Sequence, residues 1–253
     1  MSHQHSENQA PVAGMDHAFR GYRQFNDPQR RAAARGRWTL DSKADRYFSG
    51  DNLPDRLARA LGEARVIRVK ELLESFEMFE RVRRRLRAPE MADICCGHGL
   101  VGLLFAIFEP EVKRVTLIDR KKPAYFQPMY DVLLAQAPWM GEKVRYVEEP
   151  MRKAAEVLNS GTAILGVHAC GQRTDRCLDL AVNLSGKVAV MPCCYSRTGE
   201  DAPRTVRKHI GVIDTTDIHR TYRLERAGYQ VEWLAIPGEI TPMNRIILAL
   251  PGS

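Results

Sequence analysis

From Glu90 onward the chain alternates short apolar runs with amphipathic stretches of about helix length. The runs fall at 91–95, 114–118, 144–147, 163–167, 187–191, 230–236 and 245–250. Successive strands can lie parallel only when the connection is long enough to return the chain across the sheet, usually as a helix. The alternation therefore predicts parallel βαβ units. The last two runs, YQVEWLAIP and NRIILAL, are separated only by GEITPM. No crossover helix fits there, so this pair is expected to be antiparallel.

Ahead of the sheet, NLPDRLARALG (52–62) reads as a helix, with Asn52 as its cap, Pro54 in its first turn and Gly62 near its end. EARVIRVKELLESFEMFERVRRRLRA (63–88) reads as a longer one, with Val66, Val69, Leu72, Leu73, Phe76, Phe79 and Val82 along one face. Residues before about 45 carry little periodicity. The expected division is a disordered basic segment at 1–45, a helical section at 46–88 and an α/β domain at 89–253.

The first strand runs into a glycine turn, MADICCGHGL (91–100). Gly97 and Gly99 follow Asp93 in the pattern D-x-x-x-G-x-G, and glycines there let backbone turn tightly and approach a ligand. The helix that follows, LVGLLFAIF, is expected to aim its N-terminal amides at that ligand. Asp119 closes the second run, 20 residues beyond Gly99, where a carboxylate can accept hydrogen bonds from both hydroxyls of a ribose. GHGLVG also contains G-x-G-x-x-G, so spacing alone leaves a dinucleotide as an alternative to a single nucleoside.

The acid four positions before Gly97, five parallel strands and a closing hairpin resemble the class I S-adenosylmethionine-dependent methyltransferases. The resemblance implies a Rossmann-like methyltransferase sheet with an N-terminal helical extension. It also implies S-adenosylmethionine as cofactor, held by Asp93, Cys95, Gly97, Gly99, Asp119 and Glu148. In that family the turn is usually acid-x-G-x-G-x-G, and Cys95 stands in place of the first glycine. Glu148 ends the third run and would meet the adenine side.

In the methyltransferase strand order, strands one, four and five are neighbours. Cys95, Cys96 and His98 follow strand one, His168 and Cys170 follow strand four, and Cys193, Cys194 and Tyr195 follow strand five. All are expected on one rim, because ligands bind outside the carboxyl ends of the strands. His168, Cys170, Cys193 and Cys194 are the candidate catalytic residues. The cysteines could line a substrate pocket, supply a thiolate nucleophile, or bind metal, although neighbouring side chains in extended chain point to opposite sides. No metal is expected. Thr174 or Asp175 is expected to cap the helix RCLDLAVNL, Cys177 to lie in the core, and Tyr195 and Arg197 to be substrate contacts or loop surface.

DICCGHG, HACG, the Thr174–Asp175 pair and PCCY together resemble a broad methyltransferase group over about residues 65–250. It includes tRNA 2′-O-methyltransferases. The formal charge of +7 is uneven: six arginines against Asp27 between Arg20 and Arg37, and five more in RVRRRLR (81–87). Such clusters suit a nucleic-acid partner, but the glutamates at 71, 74, 77 and 80 could equally neutralise the second one at helical spacing. RNA, tRNA above all, is the expected substrate, against a small-molecule acceptor or a non-catalytic RNA- or partner-binding role. No apolar run approaches the length of a membrane span and no secretory signal is evident, so six reduced thiols in a cytoplasm are expected.

Overall fold

The computed structural model describes residues 17–195 and 203–252. Seven strands form one sheet: β1 (Glu90–Ile94), β2 (Arg114–Asp119), β3 (Val144–Glu148), β4 (Ala163–Val167), β5 (Val188–Met191), β6 (Tyr229–Ala235) and β7 (Arg245–Pro251). Their order is β3-β2-β1-β4-β5-β7-β6. The first five are parallel, and β7 runs antiparallel between β5 and β6. The seven expected runs each became a strand, and the short GEITPM link joins the antiparallel pair.

The sheet is covered on both faces, as a parallel sheet must be. Alternation along the strands sorts residues between the two layers. Met91, Val115, Leu117, Ile246 and Leu248 join one apolar cluster with α3 (Val69–Leu86) and α4 (Leu100–Phe108). Ala92, Ile94, Ile118, Ile247 and Ala249 join the other, under α7 (Gln172–Asn183) and α9 (Val212–Arg226). The remaining helices are α1 (Pro28–Arg31), α2 (Leu53–Glu63), α5 (Phe126–Gln136), α6 (Ala154–Val157) and α8 (Arg204–Ile210). No described helix is long and apolar enough to cross a membrane. Asn52 caps α2 as expected, its side chain accepting from the Asp55 N–H at 3.0 Å.

Disorder through residue 45 is corrected from residue 17 onward. Phe19, Tyr22, Phe25, Ala34, Leu40 and Ala44 are buried in the same apolar cluster as α3 and the sheet. Their spacing follows neither helix nor strand, because this stretch is built of short helical turns. That is why no periodicity announced them. Tyr22 packs against Phe48 and Phe76, and its hydroxyl donates to the Pro54 carbonyl at 3.1 Å. Residues 1–16 lie outside the described residues.

Glu77 of α3 holds this segment in place. It is fully buried, accepts the N–H groups of Arg20 and Gly21 at 2.9 and 2.8 Å, and faces Arg81 at 3.4 Å. Glu77→Ala leaves a buried guanidinium without its carboxylate and two backbone donors unpaired. The expected cost is about 3–5 kcal/mol, read by denaturant unfolding, with tryptic cleavage appearing first at Arg20 and Arg23.

Candidate active site

The turn after β1 is held by three left-handed residues: Cys95 at φ 56°, Gly97 at 54° and Gly99 at 66°. Cys95 thus adopts the backbone that a glycine would take at this position, at a strain of roughly 1–2 kcal/mol. The glycines have different tasks. A Cβ on Gly97 would meet nothing within 4 Å, so its face is open. Cβ atoms on Gly99 and Gly102 would lie 2.8 and 2.7 Å from the Leu117 side chain, so these two let α4 close onto β2. The amides of α4 are less free than expected: the Leu100 N–H donates to His98 Nδ1 at 3.1 Å and the Gly102 N–H to Asp93 Oδ2 at 3.2 Å.

Two adjoining cavities meet at Cys95 and His168. One, of about 280 Å³, is lined by Asp93, Cys96, Gly97 and His98 from the turn, and by Glu71 and Glu74 from α3. The other, of about 470 Å³, runs past Asp119 to Pro150 and Met151, just beyond β3. Glu148 lies beside it, paired in register with Asp119 and accepting the Lys122 N–H at 3.0 Å. Asp119 itself accepts from Gly97 N–H at 2.8 Å and Arg120 N–H at 2.7 Å.

His168 ends β4 in a left-handed conformation, φ 59°, with its Nε2 2.9 Å from Glu74 Oε2. Glu74 also pairs with Lys70 at 3.0 Å. Burial raises the pKa of the Glu74 carboxyl, but the His168 hydrogen bond and the His168 and Lys70 charges outweigh it and hold it below the ordinary value. An ionised Glu74 accepts, so Nε2 carries a proton, and whenever the ring holds only that one, Nδ1 has a free lone pair. Nδ1 is buried with no partner among the described residues. Sequence reasoning missed Glu74 because its neighbour Lys70, one turn away, accounts for it locally. Only tertiary packing brings β4 against α3.

The thiols divide as well. Cys95 and Cys96 face the cavities, and burial raises both pKa values, with nearby carboxylates adding. Neither is poised as a thiolate. Cys170, Cys193 and Cys194 line neither cavity. They form a separate cluster, their sulfurs within 4.8 Å of one another, and Cys170 and Cys193 are joined as a disulfide. The expectation of six reduced thiols is corrected at that pair. Cys177 is in the core as expected.

The Thr174–Asp175 pair does not cap a helix. Helix α7 begins earlier, at Gln172, after Gly171 at φ 62°. Thr174 Oγ1 donates to the Ala169 carbonyl, and Asp175 receives Arg220 through Nε and Nη2 at 3.0 and 2.9 Å. Arg220 and Arg245 also bind the buried Asp217, which accepts the Tyr195 hydroxyl at 2.7 Å. Tyr195 is therefore an anchor for the loop after β5. Arg197 lies outside the described residues.

Residues 65–200, just over half of the chain, match the family described as a methyltransferase domain. The chain belongs to that family. Among solved structures, cofactor-bound Rv0187 from MTB is 18% identical, covering 85% of this chain and 98% of its own, with a TM-score of 0.51. A Corynebacterium glutamicum protein is 14% identical, covering 84% and 95%, with a TM-score of 0.50. These two likenesses show the fold alone. A human protein described as glutathione S-transferase C-terminal domain-containing is 23% identical over 198 residues, 64% of this chain. The chain spans about 30% of that relative's length, and the same share of its Macaca fascicularis counterpart.

The methyltransferase family implies S-adenosylmethionine as cofactor, and the residues present fit it. Asp93 Oδ1 is buried beside the first cavity with no partner among the described residues, so it offers an unused acceptor to a donor group. The open face of Gly97 admits a ligand against backbone. The Asp119 carboxylate keeps lone pairs for ribose hydroxyls beyond the two amides it holds.

Burial raises the Asp93 pKa from 3.8 to about 7, against the Gly102 N–H, with the Asp119 charge adding. The protonated acid therefore stabilises the cofactor-free fold. That contribution is complete below the unfolded value of 3.8 and is lost as pH rises through about 7. Without cofactor, Asp93→Asn should flatten the fall in stability across this window, measured by chemical unfolding at pH 5, 6, 7 and 8. Asp119→Ala should weaken S-adenosylmethionine binding by about 1.5–3 kcal/mol, through loss of charge-assisted hydrogen bonds. Calorimetry checks this, and unchanged affinity would remove Asp119 from the ribose site.

Proposed function

We propose that this methyltransferase acts on RNA, tRNA above all, at a hydroxyl or amine acceptor, with His168 as the base. The observation that carries the RNA reading is charge at the cavities. Arg120, Arg152, Arg173 and Arg176 line the larger one and Arg37 and Arg68 the smaller. None of the six has an ion-pair partner among the described residues, and unneutralised cations around a site suit a phosphate backbone. The 81–87 cluster adds much less than its count suggests. Arg81, Arg83, Arg85 and Arg87 pair with Glu77, Glu80 and Glu109, Glu232, and Glu109 and Glu111 respectively. The preference for tRNA rests on the HACG and PCCY motifs.

The cofactor supplies an electrophilic methyl group on a sulfonium. With the cofactor bound, methyl transfer to an acceptor oxygen or nitrogen would release S-adenosylhomocysteine, and His168 Nδ1 would take the proton that the acceptor loses. Glu74 is a positioning residue: it fixes the tautomer and steadies the imidazolium that forms. The raised thiols of Cys95 and Cys96 and the placement of the other cysteines away from the cavities speak against a cysteine nucleophile.

Incubation with methyl-labelled cofactor, bulk RNA and a metabolite extract tests the substrate. Label should enter RNA. Label confined to small molecules would overturn the RNA reading, and no label at all would favour a binding role. RNA affinity should drop about 10²–10³-fold between 50 and 200 mM salt if some four to six phosphates are contacted. His168→Ala should lower turnover by about 10²–10⁴-fold. Glu74→Gln should lower it less, because the ring keeps a hydrogen-bond partner but the imidazolium loses its carboxylate.

A further inference from the structure

The thiol cluster takes no part in the cavities, and the chemistry above leaves it without a task. It joins the ends of two neighbouring strands. Cys170 lies three residues beyond β4, and Cys193 and Cys194 lie two and three beyond β5. Neighbouring cysteines diverge in extended chain, but β5 stops at Met191 and the backbone bends at Cys193, so both sulfurs reach Cys170. A disulfide accounts for only two of the three sulfurs. Cys194 stays free and exposed within 4.8 Å of the other two.

We propose that the reduced protein binds one thiophilic divalent cation, zinc, through Cys170, Cys193 and Cys194. Zinc–sulfur bonds of about 2.3 Å in tetrahedral geometry place sulfurs roughly 3.8 Å apart, within the spread of this cluster. Three thiolates leave the fourth position on the exposed side, beside Cys194, for water. The disulfide and the metal site are alternative states of the same sulfurs. A dithiol reductant passes two electrons to the Cys170–Cys193 bond and is itself oxidised to a disulfide. The three thiols then release their protons to solvent as the metal binds. The bound ion would tie the ends of β4 and β5 together two residues from His168.

The test uses the full chain purified with a dithiol, then equilibrated with zinc and dialysed. The expected result is one zinc per chain by elemental analysis, and a sulfur-to-metal charge-transfer band when cobalt(II) replaces zinc. Cys194→Ser is the deciding variant. It leaves the Cys170–Cys193 pair intact and alters an exposed position, so the fold should survive, as a melting curve checks. It should bind zinc at least tenfold more weakly. The histidines at positions 3, 5 and 17 could hold an adventitious ion. Zinc retained equally by Cys194→Ser, or cobalt binding without the thiolate band, would assign the ion to such sites and overturn the proposal. A reduced wild-type chain that retains no zinc would overturn it as well.

Discussion

Helix α3 is buried on nearly every side, and it carries two glutamates, 74 and 77, into that burial. A carboxylate taken out of water has to find compensation, because its isolated desolvation cost exceeds what packing returns. Each glutamate is compensated by a different part of the chain. Glu77 gathers the backbone of residues 20 and 21 and draws the N-terminal segment onto the core. Glu74 reaches across to His168 at the end of β4 and completes the wall of the cavity. One helix thus couples the order of the N-terminal segment to the geometry of the site.

The site also holds strained backbone. Cys95 and His168 are non-glycine residues in left-handed conformation at the ends of β1 and β4, which are paired in the sheet. Such residues persist where their surroundings over-determine them. His168 is held by its Glu74 contact and by its own N–H to the Met191 carbonyl, and the Cys96 N–H after Cys95 is held by the Ile118 carbonyl. The strain places both side chains where the two cavities meet.

Charge is redistributed by folding. The arginines of 81–87 are largely spent on internal carboxylates, and Arg220 and Arg245 are spent on Asp217 under the loop after β5. The cations left around the cavities are Arg37, the last of the N-terminal arginine cluster, and Arg68, Arg120, Arg152, Arg173 and Arg176, which lie far apart from that cluster along the chain. A net charge is a property of composition, whereas a binding field depends on which charges are left unpaired and where.

The strand pattern from residue 90 and the short final link determined the sheet and its antiparallel hairpin, because side-chain alternation and connection length act locally along the chain. The glycine turn after β1 was equally legible, since a sharp strand-to-helix turn demands residues that accept left-handed backbone, as Gly97 and Gly99 do. Tertiary structure alone decided the rest. It brought Glu74 to His168 across 94 residues, set the three rim cysteines apart from the cavities, and gave the Thr174–Asp175 pair to neighbouring elements in place of a helix cap. It also folded residues 17–45 through irregular turns. In each case the partner lies far off in sequence, and only burial makes the pairing necessary.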